Sequence, residues 1–135
     1  MNWGFKNFKR YEFECKCGCC VLDYHEDNYL GMIFYFLQPL RDDIGKPIIV
    51  TSGIRCFTHN KNEGGAKYSY HTDYGDNKAR RPSAVDFYVP GVSKGYIDFK
   101  IRQHTDVNFC GYKIYVNEAG LWLCHIDWRG VKARW

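Results

Sequence analysis

Tyr112-Lys113-Ile114-Tyr115-Val116, then Asn117-Glu118-Ala119-Gly120, then Leu121-Trp122-Leu123-Cys124-His125-Ile126 is the run that decides the fold. β-Branched and aromatic residues fill both flanks, as suits a pleated surface. Asn117 and Gly120 bracket the short connection, so the flanks form a hairpin and pair antiparallel. Working upstream, Ala84-Val85-Asp86-Phe87-Tyr88-Val89 reads as another strand, stopped by Pro90-Gly91. Residues 47–51, Pro-Ile-Ile-Val-Thr, read as a short buried strand.

The helical signals fall mostly before these strands. Leu30, Ile33, Phe34, Phe36, Leu37 and Leu40 recur at helical spacing behind an N-cap at Asp27-Asn28. That helix ends near Ile44-Gly45, with Gly45 as its C-terminal cap. A short helix is predicted over residues 56–63, before Gly64-Gly65. Ser93 caps a further helix through Tyr96, Ile97, Phe99, Lys100 and Ile101 to about His104. Residues 1–14 read as an irregular aromatic arm laid against the body, and residues 68–83 as an extended polar loop. Early helices followed by hairpin-connected strands predict an α+β fold, N-terminal helices packed on a small antiparallel sheet.

The 135 residues suit one compact domain spanning 1–135. An aromatic content of 18% excludes a disordered chain. The net charge of +4 is mildly basic and favours anionic partners without demanding nucleic acid. The densest basic run, Lys78-Ala79-Arg80-Arg81, reads as a solvated loop. The opening Met1-Asn2-Trp3-Gly4-Phe5-Lys6 lacks the apolar core of a signal peptide, and no run has the length of a membrane span. The expectation is synthesis in the cytoplasm, where thiols stay reduced.

Seven cysteines, an odd number, argue against a complete disulfide framework. Four of them crowd into Cys15, Cys17, Cys19 and Cys20. Zinc sites built on such a run usually draw a second pair of ligands from a distance. A structural zinc within Cys15–Cys20 is therefore not expected, and a tight turn with inert thiols is.

Three other side chains carry a sharper chemistry. Asp86 sits between Val85 and Phe87, where a carboxylate is costly unless a metal or a partner compensates it. His71 lies at the edge of the polar loop, and His125 lies on the neighbouring hairpin strand. Two imidazoles and a carboxylate are a zinc set with a fourth position left open.

A resemblance joins these residues. Val50-Thr51-Ser52-Gly53-Ile54-Arg55-Cys56, His59-Asn60, Gly64-Gly65-Ala66 and Ser69-Tyr70-His71 resemble the front half of a peptidase M15 domain. This is the zinc D-Ala-D-Ala carboxypeptidase and endolysin-like group. Ala84-Val85-Asp86 and His125-Ile126-Asp127 through Ala133-Arg134-Trp135 are similar to its back half. Glu12-Phe13-Glu14-Cys15-Lys16-Cys17-Gly18-Cys19 is similar to the opening of the small phage-associated members. The resemblance spans nearly the whole chain.

It implies a hedgehog/DD-peptidase-like zinc fold, with one catalytic Zn2+ on His71, Asp86 and His125. It also implies that Arg55 faces the substrate and holds a carbonyl or carboxylate oxygen with its planar fork. Ser69 would support the site or the bound peptide. The implied substrate is a peptidoglycan stem peptide or cross-link, with action on the bacterial cell wall after phage-type release or as a virion component.

The chain departs from the family at two places. The family pattern resembles S-x-H-x-x-G-x-A-x-D, whereas residues 72–85 separate His71 from Asp86 here. The stretch around Tyr74 to Pro82 reads as an insertion, a lid or specificity loop, which leaves Asp73 and Asp76 as rival ligands. Lengthening a loop costs little entropy, so the metal set can survive it. Family branches also place an acid three positions, or a histidine two positions, before the last zinc histidine. Those positions hold Trp122 and Leu123.

Asp127 shares a strand face with His125 and is the candidate general acid/base. Its alternatives are pairing with Arg129 or Arg134, or orienting His125 from behind. A zinc-stabilised binding module of the same fold is the rival function. A nucleic-acid-binding protein is not expected, because it leaves the ordered motifs unexplained.

Overall fold

The computed structural model describes residues 3–64, 69–72 and 82–135. Along the chain come α1 (Glu26–Met32), a π-helical turn (Ile33–Leu37), α2 (Gln38–Ile44), β1 (Ile49–Ser52) and α3 (Phe57–Asn62). They are followed by β2 (Ala84–Tyr88), α4 (Lys94–His104), β3 (Gly111–Val116) and β4 (Trp122–Asp127). The strands form one antiparallel sheet in the order β1-β2-β4-β3. The α+β class and the antiparallel sheet agree with the sequence reading.

Strand alternation divides the sheet chemically. Val85, Ile126 and Tyr112 face one another across β2, β4 and β3, as do Phe87, Cys124 and Ile114 one row further on. These residues join the hydrophobic core with Tyr29, Met32, Ile33, Phe36 and Leu37 from the helical segment. Phe36 meets Phe87 edge-on at 6.2 Å. The intervening rows point the other way: Ala84, Asp127 and Gly111, then Asp86, His125 and Lys113. One face is therefore core, and the other carries the polar groups.

The long first helix is interrupted. Gln38 N–H bonds back to the carbonyl of Ile33, the wider spacing of a π turn. The physical reason is Pro39, which lacks an N–H and whose ring clashes with the carbonyl one turn back. The altered turn leaves Phe34 at 60% exposure, although its spacing predicts burial, while Tyr29 and Met32 are fully buried instead. Gly45 ends α2 in the left-handed region at φ 71°, as expected. Ser93 accepts a hydrogen bond from the Tyr96 N–H, capping α4 as the sequence predicts.

The N-terminal arm is a structural part of the core. Phe8 and Phe13 are fully buried, and the Phe13 ring packs against Trp3 and Tyr29. The carbonyl of Phe13 accepts from Ile54 N–H at 3.0 Å. Gly53 makes this approach possible: a Cβ there would lie 2.6 Å from the Phe13 backbone.

Candidate metal centre

The segment after β1 alternates its partners. Ile54 and Cys56 direct their amides toward the arm, to Phe13 O and Cys15 Sγ. Gly53 and Arg55 bind His71 on the other side: the Gly53 carbonyl accepts from His71 Nδ1 at 2.6 Å, and Arg55 N–H donates to His71 O at 2.7 Å. Ser69 Oγ accepts from the His71 N–H at 3.1 Å. The ring of His71 is thus fixed, with the proton on Nδ1 and the lone pair on Nε2.

That lone pair points at the sheet. Nε2 of His71 lies 3.2 Å from Asp86 Oδ2, yet it is buried and makes no hydrogen bond among the described residues. Nδ1 of His125 lies 2.8 Å from Asp86 Oδ1. The two imidazole rings are 5.2 Å apart. One donor atom from each of His71, Asp86 and His125 falls within 4.8 Å of the others, and all three residues are buried. A buried imidazole nitrogen with an unused lone pair, beside a carboxylate and a second imidazole, fits a divalent metal of the zinc type. Asp86 and His125 are paired directly across β2 and β4, so the sheet register itself sets half of this arrangement.

The charges are tightly coupled. Burial alone pushes the Asp86 carboxyl up, but the His125 imidazole bonded to it outweighs this and holds the group well below the usual carboxylate range. Burial works against a charged His125, but the carboxylates of Asp127 and Asp86 prevail and raise its pKa.

Asp127 lies behind His125. Its Oδ2 is 2.8 Å from His125 Nε2, on the ring edge turned away from Asp86. Both carboxylate oxygens also accept from Arg129, each at 2.7 Å, and Oδ1 accepts from Gly111 N–H. The residue is fully buried and does not line the cavity. Gly111 is the cradle of this pair, since a Cβ there would lie 2.2 Å from Asp127 Oδ2. Of the pairings left open by sequence, the structure shows the one with Arg129, together with a contact to His125. Arg134 instead donates to the carbonyls of Cys110, Ala133 and Val107.

A cavity of about 390 Å³ opens over the three candidate ligands. Arg55 lies at it, its guanidinium held by Ser52 Oγ and Asn60 Oδ1 at 3.2 Å each, with Nη2 3.8 Å from Asp86. Ser69 also lines it. The structure adds residues for which spacing gave no signal: Tyr70, Lys113, Tyr115 and Trp135. Trp135 stands edge-on to His125 at 5.1 Å, and Arg129 lies over the Tyr70 ring at 4.2 Å. Burial, with the Asp86 charge, pushes the Tyr115 hydroxyl up to about 12. The insertion after His71, with Asp73, Asp76 and the basic run through Arg81, lies outside the described residues. Its flanks are anchored at the site, because Ser83 N–H donates to Tyr70 O at 3.0 Å.

Residues 6–120 match the Peptidase M15 family, which is most of the chain. The chain belongs to the peptidase M15 family. The matched span holds Arg55, Ser69, His71 and Asp86 and ends shortly before His125. This is a zinc-dependent metallopeptidase family, and His71, Asp86 and His125 are a set able to hold its metal. No curated protein and no solved structure matches the chain closely enough to add a relative. Among the described residues, no helix is long and apolar enough to cross a membrane.

Proposed function

We propose that the chain is a zinc peptidase that hydrolyses peptidoglycan stem peptides or cross-links, as a D-Ala-D-Ala carboxypeptidase or an endolysin-like endopeptidase. The observation that carries this reading is the convergence of His71, Asp86 and His125 beneath a cavity that Arg55 also enters. A zinc ion held by these three residues supplies a Lewis acid for the scissile carbonyl and acidifies water.

The chain's own residues do the rest. His71 Nδ1–H on Gly53 O keeps Nε2 free as a ligand. Asp127 on His125 Nε2 leaves Nδ1 as the ligand atom and holds the ring in place. Arg55 stays charged and offers N–H donors to a substrate carbonyl or carboxylate oxygen, where charge builds up during attack. Lys113 adds positive charge to the cavity wall beside Arg55, which favours a peptide bearing carboxylates. The tyrosines and Trp135 supply flat apolar surfaces for the rest of the chain. Such a substrate places the protein at the bacterial cell wall, reached by phage-type release or within a virion.

A second reading is a zinc-stabilised binding module of the same fold. It is favoured by the composition of the cavity, in which Asp86 is the one carboxylate among the described lining residues. Asp127, the acid/base candidate, is fully buried and engaged by Arg129. Digestion of muropeptides with and without zinc, read by mass spectrometry, separates the two. The peptidase reading expects zinc-dependent loss of D-Ala or opened cross-links, and loss of both in His71→Ala. Intact muropeptides that bind the zinc-loaded protein would favour the binding module.

A further inference from the structure

Sequence places four cysteines in one short run, and the fold brings the distant Cys56 to three of them. Sγ of Cys17 lies 3.3 Å from Sγ of Cys15 and 3.6 Å from Sγ of Cys56. One sulfur from each of Cys15, Cys17, Cys19 and Cys56 falls within 4.8 Å of all the others. Cys20, the fourth member of the sequence run, is exposed and outside the group. The distant ligand that the run lacked is Cys56, from the loop after β1.

We propose that Cys15, Cys17, Cys19 and Cys56 form a structural zinc site with four thiolate ligands, which clasps the N-terminal arm to the loop that presents Arg55. Zinc–sulfur bonds of about 2.3 Å in a tetrahedron set the sulfurs about 3.8 Å apart. The spacings of 3.3 and 3.6 Å from Cys17 lie a little below that distance and are far from the roughly 2.05 Å of a disulfide.

The backbone around the sulfurs directs amide donors at them. Cys15 Sγ accepts from Cys56 N–H at 3.3 Å, and Cys56 Sγ accepts from His59 N–H at 3.4 Å. The amide of Cys17 also faces Cys15, that of Cys19 faces Cys17, and that of Val21 faces Cys19. Every sulfur of the group thus has an amide donor, but burial outweighs the donors at Cys15 and Cys19 and raises both thiols, so a bound cation is what would hold them as thiolates. Gly18 supplies the tight turn between the ligands: its N–H bonds to Cys15 O, and its φ is 84°. Inert thiols look different. Cys110 and Cys124 are buried in the core and belong to no such group among the described residues.

The site has a mechanical consequence. Cys56 follows Arg55 directly, and Arg55 N–H holds His71 O. A metal on Cys56 therefore fixes the backbone from which Arg55 and, through it, His71 are positioned. The cluster stands apart from the peptidase reading, and its failure is visible separately from that of the His71 site.

The test uses the whole chain, purified anaerobically and loaded with zinc, or with cobalt in its place. About two zinc ions per chain are expected, and the cobalt form should show a thiolate-to-cobalt charge-transfer absorption. Cys17→Ser, at an exposed position, should remove that absorption and about one zinc, whereas Cys20→Ser should remove neither. His71→Ala should remove the other zinc and keep the absorption. Zinc should also slow the reaction of these thiols with a thiol reagent in the unaltered protein, a readout that needs no variant to fold. Absence of the charge-transfer band, equal thiol reactivity with and without zinc, or a disulfide among the four in the zinc-loaded protein would overturn the proposal.

Discussion

The histidine–aspartate cluster and the cysteine cluster are assembled in opposite ways. The first grows out of regular structure. Asp86 and His125 are register partners on adjacent strands, so the pleat that buries Val85 and Phe87 also turns Asp86 toward His125. The second is made where the chain crosses itself, at an irregular arm and the first residue past a loop. The extended stretch from Gly53 to Cys56 joins the two, bonding His71 with one set of amides and carbonyls and the arm with the other. A site on a sheet inherits its precision from the ladder, whereas a site on an arm has only its own bonds and the packing beneath it.

That difference can be broken most forcefully at Phe13, which lies under the arm. The ring is fully buried against Trp3, Phe8 and Tyr29. Phe13→Ala is expected to destabilise the fold by about 3–5 kcal/mol in urea unfolding. Phe34→Ala, on an exposed ring of the π turn, should stay within about 0.5 kcal/mol. Equal costs for the two would mean that the arm is only draped on the body, and the contrast drawn here would fail.

A smaller effect is expected on the sheet side. Asp127→Asn keeps the size of the side chain but removes the charge that faces His125 Nε2 and Arg129. Loss of such an orienting carboxylate typically weakens metal binding by about 10–100-fold. Competition with a chelator should find that loss at the histidine site alone, with the cobalt–thiolate absorption unchanged. Equal weakening at both sites would show general loosening of the fold rather than a local role for Asp127.

These two regions were also unequally legible in the sequence. Composition and turn residues identified the strands, and a carboxylate between Val85 and Phe87 stood out because burial makes it costly. The placement of Asp127 on the His125 face followed from the two-residue period of a strand. What it binds did not, because the Arg129 fork and the space over Gly111 exist only after the hairpin and the chain end come together. In the helical segment a local signal was present in Pro39, whose missing N–H produces the π turn that exposes Phe34. Cys56 had no local signal at all. It lies far along the chain from Cys20, and its meeting with Cys15 depends on Ile54 docking against Phe13.

The smallest predicted effect tests that last point most narrowly. By sequence spacing Cys20 is the natural partner of Cys15, Cys17 and Cys19. By structure it is an exposed thiol beyond the cluster. Cys20→Ser should therefore leave thermal stability within about 0.5 kcal/mol, as for other surface changes away from special features. The same substitution at Cys17 removes a thiol in contact with both Cys15 and Cys56, and its cost should depend on zinc. Zinc stabilises only a state that binds it, so the gap between the two variants should close when a chelator is added. A zinc-independent gap would reduce the cluster to four neighbouring thiols, and the arm would be held by Phe13 and its backbone bonds alone.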